Sequence, residues 1–203
     1  GLFPTYLLPS TFNYGTKKFT QEIRLASPKS EHFEWMIGGF YTHEKNEYDT
    51  LLYVADPDGT ILPGAAGNFY TTHISSKYRE YAVFGNATYY LTPHFDVSAG
   101  IRYAHNSQDY IAPRSGILCG ARCANAPDGI EIRQGHSSES AKTYQFTARW
   151  RPADRINVYA RAASAYRPGG PVISSPAAGI PTSFQSDRLW NYELGAKTQF
   201  AGG

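Results

Sequence analysis

Phe95-Asp-Val-Ser-Ala-Gly-Ile-Arg-Tyr103 is the stretch that decides the fold, because its side chains alternate strictly in character. The odd-numbered residues are apolar or aromatic, whereas the even-numbered residues, from Asp96 to Arg102, are polar or glycine. Successive side chains of a β-strand point to opposite faces of a sheet, so a period of two is typical of a strand. The stretch therefore predicts one strand with an apolar face and a polar face.

Six further stretches show the same period and are bounded by turn residues. Together with the first they predict strands over residues 19–27, 33–46, 79–91, 95–106, 141–151, 156–166 and 189–200. Most of these strands exceed the about five or six residues usual in soluble sheets, and they match the ~9–11 residues with which a tilted strand crosses a bilayer. We therefore expect an all-β protein whose antiparallel strands span a membrane.

The connections between the predicted strands alternate in length. Short links stand at 28–30, 92–94 and 152–155, whereas long ones cover 47–78, 107–140 and 167–188. Outer-membrane β-barrels have tight periplasmic turns at one end and long extracellular loops at the other. The order of the connections therefore predicts a segment of about seven strands from a transmembrane β-barrel of the bacterial outer membrane.

Over residues 95–103, 143–150, 156–161 and 190–200 of the last four predicted strands, the charged residues share the polar face. Each Arg or Lys on the lipid face near the midplane costs roughly 2–4 kcal/mol, so we expect the polar face to line a lumen and the apolar face to meet outer-membrane lipid. The predicted lumen-facing residues are Asp96, Arg102, Arg149, Arg161, Glu193 and Lys197. The first three strands are less regular, because Phe84 shares a face with Glu80 and Met36 with Glu34. Alternation alone also fits a soluble sandwich or small barrel with its apolar face inside.

Aromatic residues are abundant, with 16 Tyr, 11 Phe and 3 Trp, and several stand near the ends of predicted strands. Outer-membrane barrels place aromatic girdles at both membrane interfaces. The predicted girdle residues are Tyr89, Tyr90, Phe95, Trp150, Tyr166 and Trp190.

The composition argues against several other function classes. The formal net charge is +2 and the basic residues are scattered, so no nucleic-acid partner is expected. The sequence has no nucleophile elbow, phosphate-binding loop or zinc-protease motif, and its six His are isolated. We therefore expect no catalytic residues, no enzyme activity, no resident cofactor and no metal site.

Cys119 and Cys123 lie in a loop-like stretch rich in Gly, Ala, Pro and Asp. The pair supplies only two of the four ligands that a structural zinc ion takes. A local disulfide formed in an oxidising compartment is the favoured interpretation, and two free loop thiols are the alternative.

Tyr166 and Arg167 open the third long connection beside Pro168-Gly-Gly170 and are the candidate ligand-binding residues. An aromatic ring next to a cation at the mouth of a pore suits an anionic, aromatic chelate. The alternative, which we favour, is that Tyr166 is a girdle residue and Arg167 a charge that snorkels at the membrane rim.

Several of these stretches resemble the β-barrel of TonB-dependent outer-membrane receptors. The resemblance spans nearly the whole chain and rests on the order and spacing of loose motifs. They are Phe19-Thr-Gln-Glu-Ile-Arg-Leu-Ala-Ser-Pro28, Trp35-Met-Ile-Gly-Gly-Phe-Tyr41, Tyr81-Ala-Val-Phe-Gly-Asn-Ala-Thr-Tyr-Tyr-Leu-Thr-Pro93, Ala99-Gly-Ile-Arg-Tyr103, Val158-Tyr-Ala-Arg161, Ala165-Tyr-Arg-Pro-Gly-Gly170 and Leu189-Trp-Asn-Tyr-Glu-Leu-Gly-Ala-Lys197.

The resemblance implies a 22-strand barrel filled by a plug domain, which imports a ferric siderophore or similar scarce nutrient with energy from the TonB complex. On this view residues 1–203 are part of the barrel domain, without the plug and the final C-terminal strands. TonB would act through the missing plug, and any iron would belong to the transported ligand. Two alternatives stay open: a non-transport outer-membrane barrel, such as an adhesin or structural protein, and a soluble ligand-binding β-domain.

Overall fold

The computed structural model describes residues 5–172 and 181–199, which form a seven-stranded antiparallel sheet and a small hairpin. In the sheet each long strand pairs with the next long strand along the chain. The long strands are β1 (Ser10–Ala26), β2 (Phe33–Tyr53), β3 (Asn68–Thr92), β4 (Phe95–Ser115), β5 (Glu131–Ala153), β6 (Ile156–Arg167) and β9 (Asp187–Thr198). The hairpin pairs β7 (Gly170–Pro171) with β8 (Ser183–Phe184). The prediction of an antiparallel all-β fold is confirmed.

The predicted bounds were wrong in one consistent way, because β2, β3, β4 and β5 extend far into the predicted long loops. The connections shrink to 54–67, 116–130 and 168–186, while the short turns cover 27–32, 93–94 and 154–155. The extensions carry polar residues on both faces, for example Asp49 and Thr50 in β2. Backbone pairing does not need an apolar face, so these segments continue the ladder after their hydrophobic alternation has faded. The predicted end of the last strand, at residue 200, lies outside the described residues.

One face of the sheet is apolar and exposed over the middle of the strands. Ile23 is 77% exposed, Val83 62% and Leu194 81%, although such side chains are normally buried in a soluble domain. The register places Tyr81 opposite Tyr41, with ring centroids 4.9 Å apart. Nearer the short turns, Tyr89 is opposite Phe33, Phe95 is opposite Trp150, and all four belong to the apolar face. Two aromatic rows therefore border an apolar belt.

Tyr90 does not belong to these rows, contrary to the girdle prediction. It is opposite Asp96 in the β3–β4 ladder and therefore lies on the polar face. Because side chains alternate, two consecutive tyrosines such as Tyr89 and Tyr90 cannot both face lipid. Trp190, whose ring stacks on Tyr144 at 6.5 Å, lies on the apolar face.

The connection 116–130 contains three short helical turns, Ile117–Cys119, Ala121–Ala124 and Pro127–Gly129. A disulfide joins Cys119 to Cys123, with Cα atoms 5.6 Å apart, next to the carboxylate of Glu131. Both sulfurs are used in this bond, so they supply no thiolate ligand to a metal. Among the described residues no helix is long and apolar enough to cross a membrane.

Candidate functional site on the polar face

The polar face carries a hydrogen-bonded group centred on Glu80, here called the Glu80 cluster: Tyr78, Glu80, Arg102 and Tyr166. One carboxylate oxygen of Glu80 accepts a bond of 2.6 Å from the Arg102 guanidinium. The other accepts bonds from the hydroxyls of Tyr78 at 2.6 Å and Tyr166 at 3.2 Å. The Glu80 side chain is only 13% exposed, so its charge depends on these three donors. Sequence reasoning missed Glu80 and Tyr78, although Tyr78-x-Glu80 places both residues on one face.

Phenylalanines on the polar face surround the same arginine. The guanidinium carbon of Arg102 lies 4.8 Å from the ring centre of Phe40 and 5.9 Å from that of Phe84. The guanidinium carbon of Arg24 lies 6.0 Å from the centre of the Phe84 ring. A Cβ at Gly38 would meet the Phe84 ring at 2.4 Å, so the glycine makes room for it. These cation–π contacts explain why apolar side chains interrupt the polar face of β2 and β3.

Tyr166 reaches Glu80 because β6 separates from β5 near its end. The β5–β6 ladder ends at Gln145 and Ala163, and beyond it the Ser164 hydroxyl accepts a 2.7 Å bond from the Tyr144 N–H. The Tyr166 side chain is directed over β5 and β4, and its hydroxyl donates to Glu80 of β3. Its expected place in a lipid-facing girdle is therefore wrong. Arg167 is exposed at the strand end and pairs with Asp187.

We expect Tyr166→Phe to weaken the Glu80 cluster, while Tyr78 and Arg102 still donate hydrogen bonds to Glu80. The variant removes one neutral donor to a carboxylate, for which a loss of about 1–2 kcal/mol in the free energy of unfolding is expected. Urea unfolding of the full receptor in detergent, followed by tryptophan fluorescence, measures this loss. Tyr192→Phe is the matched control, since Tyr192 is 76% exposed on the apolar face and its hydroxyl has no partner among the described residues. Equal losses in both variants would contradict the assignment.

The segment after β6, residues 168–172, lies on the polar face of β4 and β5 and is here called the strap. The Gly169 N–H donates to the Glu139 carboxylate at 2.6 Å, and the Tyr110 hydroxyl donates to the Val172 carbonyl at 3.2 Å. A Cβ at Gly135 would be 2.9 Å from the Pro171 side chain, so the glycine lets the proline ring approach the backbone of β5. The third long connection thus begins by turning over the polar face, and Tyr166 and Arg167 lead into it.

A second charged group lies near the short-turn end of the same face. Asp96 is 1% exposed and accepts a bond of 2.9 Å from Arg149 and one of 2.6 Å from Arg151. Two guanidinium groups thus share one buried carboxylate, which leaves local positive charge at the start of β4 and the end of β5. The charge of a buried carboxylate is compensated only while its cationic partners stay in place.

The other predicted lumen residues also point to the polar face. Arg161 donates to the Gln145 amide oxygen at 2.8 Å, and Glu193 accepts from the Tyr159 hydroxyl at 2.5 Å. The Lys197 ammonium lies 5.9 Å from the centre of the Tyr159 ring. Arg102, Arg149 and Arg161 line a depression of about 650 Å³ on this face. The arrangement offers several guanidinium groups above a polar wall, which suits contact with acidic or hydrogen-bonding groups.

The chain matches the family model described as TonB dependent receptor-like, beta-barrel, over residues 3–203. Among curated proteins it is 29% identical over 182 residues to the pesticin receptor of Yersinia pestis, covering 89% of this chain and 24% of that protein. The pesticin receptor of Yersinia enterocolitica serotype O:8 gives the same identity and coverage. The chain therefore spans about a quarter of the length of the curated relatives it matches.

Two solved structures have a similar fold. The ferric yersiniabactin uptake receptor FyuA from Yersinia pestis matches with a TM-score of 0.75 and 21% identity, over 96% of this chain and 28% of that one. The ferric-catecholate import receptor Fiu from K12 E. coli matches with a TM-score of 0.65 and 17% identity, over 93% of this chain and 30% of that one. Both proteins are import receptors by description, and the long antiparallel sheet is common to all three chains.

Proposed function

Because the chain belongs to the TonB-dependent receptor β-barrel family of the bacterial outer membrane, we propose that it forms about seven strands of the wall of an import receptor. The observation that carries the proposal is the division of its sheet into an exposed apolar belt and a charged polar face. The belt would contact lipid and the polar face would line the lumen. A barrel of 22 strands is wide enough to hold a plug domain in that lumen.

The transported ligand is proposed to be a ferric siderophore. Related receptors are described as taking up ferric yersiniabactin or ferric catecholates, and both ligands are iron chelates. Tyr166 and Arg167 stand where β6 meets the strap, so a ligand entering past the strap would meet a phenol and a guanidinium. Function in such proteins resides in loops held by a rigid scaffold, which makes this rim the proposed contact site.

Import against a concentration gradient needs energy, which we propose comes from the TonB complex acting through a plug domain. The Asp96 group and Arg161 would then contact the plug rather than the ligand, because they lie on the wall of the lumen. No enzymatic step is proposed, since binding, plug movement and release suffice for uptake.

Uptake of ⁵⁵Fe-labelled siderophores into iron-starved cells tests the proposal. A strain carrying the full-length gene should accumulate at least one ferric siderophore from a panel of phenolate, catecholate and hydroxamate types. The gene deletion should not, and a protonophore or loss of TonB should stop uptake in the complemented strain. Uptake that persists without TonB would contradict the energy source, and no uptake of any iron chelate would favour a non-transport barrel.

A further inference from the structure

Three lysines lie at the end of the sheet nearest the long connections, beyond the aromatic row of Tyr41 and Tyr81. The proposed uptake gives these lysines no role. Lys17 of β1 is opposite Lys45 of β2, and Lys45 is opposite Lys77 of β3. Lys77 and Tyr81 are separated by an even number of residues, so the lysine row lies on the same face as the apolar belt. Three cations therefore stand side by side on the face that meets lipid.

The height of this row can be placed from the strand geometry. Lys77 lies four residues beyond Tyr81, toward the long connections. At ~3.4 Å per residue and a strand tilt of about 40°, this puts the lysines about 10 Å beyond the aromatic row. Aromatic girdles mark the edge of the hydrocarbon, so the row lies among lipid headgroups. The long connections mark the extracellular side, which assigns the row to the outer leaflet.

Like charges directly opposite one another destabilise a sheet, so the row favours a bound anion. Lys17 and Lys77 are exposed, and neither makes an ion pair among the described residues. Lys45 pairs with Glu47, which also lies 3.1 Å from His73. The acidic partner of Lys45 is therefore already shared with a second side chain.

The other charged groups beside the row are also paired. Asp109 is opposite Lys77. Its carboxylate lies 2.7 Å from Nδ1 of His136 and 3.6 Å from the Arg79 guanidinium. The His136 imidazole lowers the pKa of the Asp109 carboxyl, and Arg79 adds to this. Farther along, Asp49 raises the pKa of His73 through a contact of 2.5 Å. Lys17, Lys77 and one side of Lys45 thus remain available to an outside anion.

An apolar depression of about 510 Å³ begins at Tyr41 and Tyr81, four residues from Lys45 and Lys77, and lies toward the middle of the membrane. It is lined by residues of the apolar belt that include Ile23, Tyr41, Tyr81, Val83 and Tyr103. A phosphorylated lipid has phosphate groups, which suit the lysine row, and acyl chains, which suit the apolar depression. We propose that Lys17, Lys45 and Lys77 bind the phosphate groups of such a lipid in the outer leaflet, with an acyl chain in this depression.

Binding of bisphosphorylated lipid A to the full-length receptor tests the proposal, measured by native mass spectrometry in a phosphate-free detergent. The triple variant Lys17→Gln, Lys45→Gln, Lys77→Gln should bind roughly tenfold or more weakly, and the triple Arg variant should retain binding. Lys18→Gln is the matched control, because Lys18 is the next residue but lies on the opposite face, 3.1 Å from Glu44. It should bind within about twofold of wild type.

Three results would overturn the proposal. The first is a triple Gln variant that loses no more affinity than Lys18→Gln does. The second is equal binding of dephosphorylated lipid A by wild type, which would leave only acyl contact. The third is binding of inorganic phosphate alone with the same affinity, which would indicate a site for free phosphate. Heat-modifiable gel mobility reports the folding of each variant, and uptake is assayed separately, so failure here leaves the import proposal standing.

Discussion

Ile101→Arg is expected to lower the free energy of unfolding of the full receptor by roughly 2–4 kcal/mol in a lipid bilayer. Ile101 is 50% exposed on the apolar face, opposite Gly85 and Tyr144, and lies about midway between the two aromatic rows. A guanidinium at this depth loses its hydration and has no carboxylate to replace it. Urea unfolding in phospholipid vesicles measures the loss, and heat-modifiable gel mobility measures the folded fraction.

Thr88→Arg is the matched control for this change. Thr88 lies on the polar face opposite Glu34, so the same added charge meets water and a carboxylate. We expect a change within about 1 kcal/mol, as for a solvated ion pair. If Thr88→Arg destabilised the protein as much as Ile101→Arg, the proposed placement of the two faces would be contradicted.

Asp96→Ala is expected to have the second largest effect. It leaves Arg149 and Arg151 without their shared buried carboxylate, and removal of one partner of a buried pair is strongly destabilising. The two arginine side chains are 39% and 34% exposed, so water screens part of their charge. We therefore expect a loss of about 2–3 kcal/mol, below the upper range for such pairs.

Asp187→Ala provides the comparison, because Asp187 also pairs with an arginine. That pair is open to water, with Asp187 67% and Arg167 75% exposed. Exposed ion pairs contribute about 0–1 kcal/mol, so this variant should unfold almost like wild type in the same urea titration. Similar losses for Asp96→Ala and Asp187→Ala would show that burial of Asp96 does not matter.

The sequence predicted the faces best where side-chain chemistry follows the strand period without exception. The stretch from Asp96 to Arg102 is such a case, and β4, β5, β6 and β9 have the alternation expected of them. In β2 and β3 the pattern weakens, because Phe40 and Phe84 pack on Arg102 from the polar face. A pattern based on hydrophobicity alone does not recognise a ring that serves as the partner of a cation.

The lengths of the strands and the position of Tyr166 could not be predicted from the sequence. Beyond the membrane both faces meet polar surroundings, so alternation ends at about Lys45 while the backbone ladder continues to Tyr53. Tyr166 contacts Glu80, 86 residues away along the chain, because β6 leaves β5 at Ser164. Local sequence carries no signal for a contact that depends on where two neighbouring strands part.

The most direct test of the central claim is accessibility of spin labels along β3, introduced one at a time between Tyr81 and Tyr89 of the full receptor in a bilayer. We expect oxygen, which concentrates in lipid, to reach labels at odd positions such as Val83 and Ala87. Labels at even positions such as Asn86 and Thr88 should instead face the polar interior. A period-two profile with this phase would support the assignment of the lipid face, whereas an inverted or flat profile would contradict it.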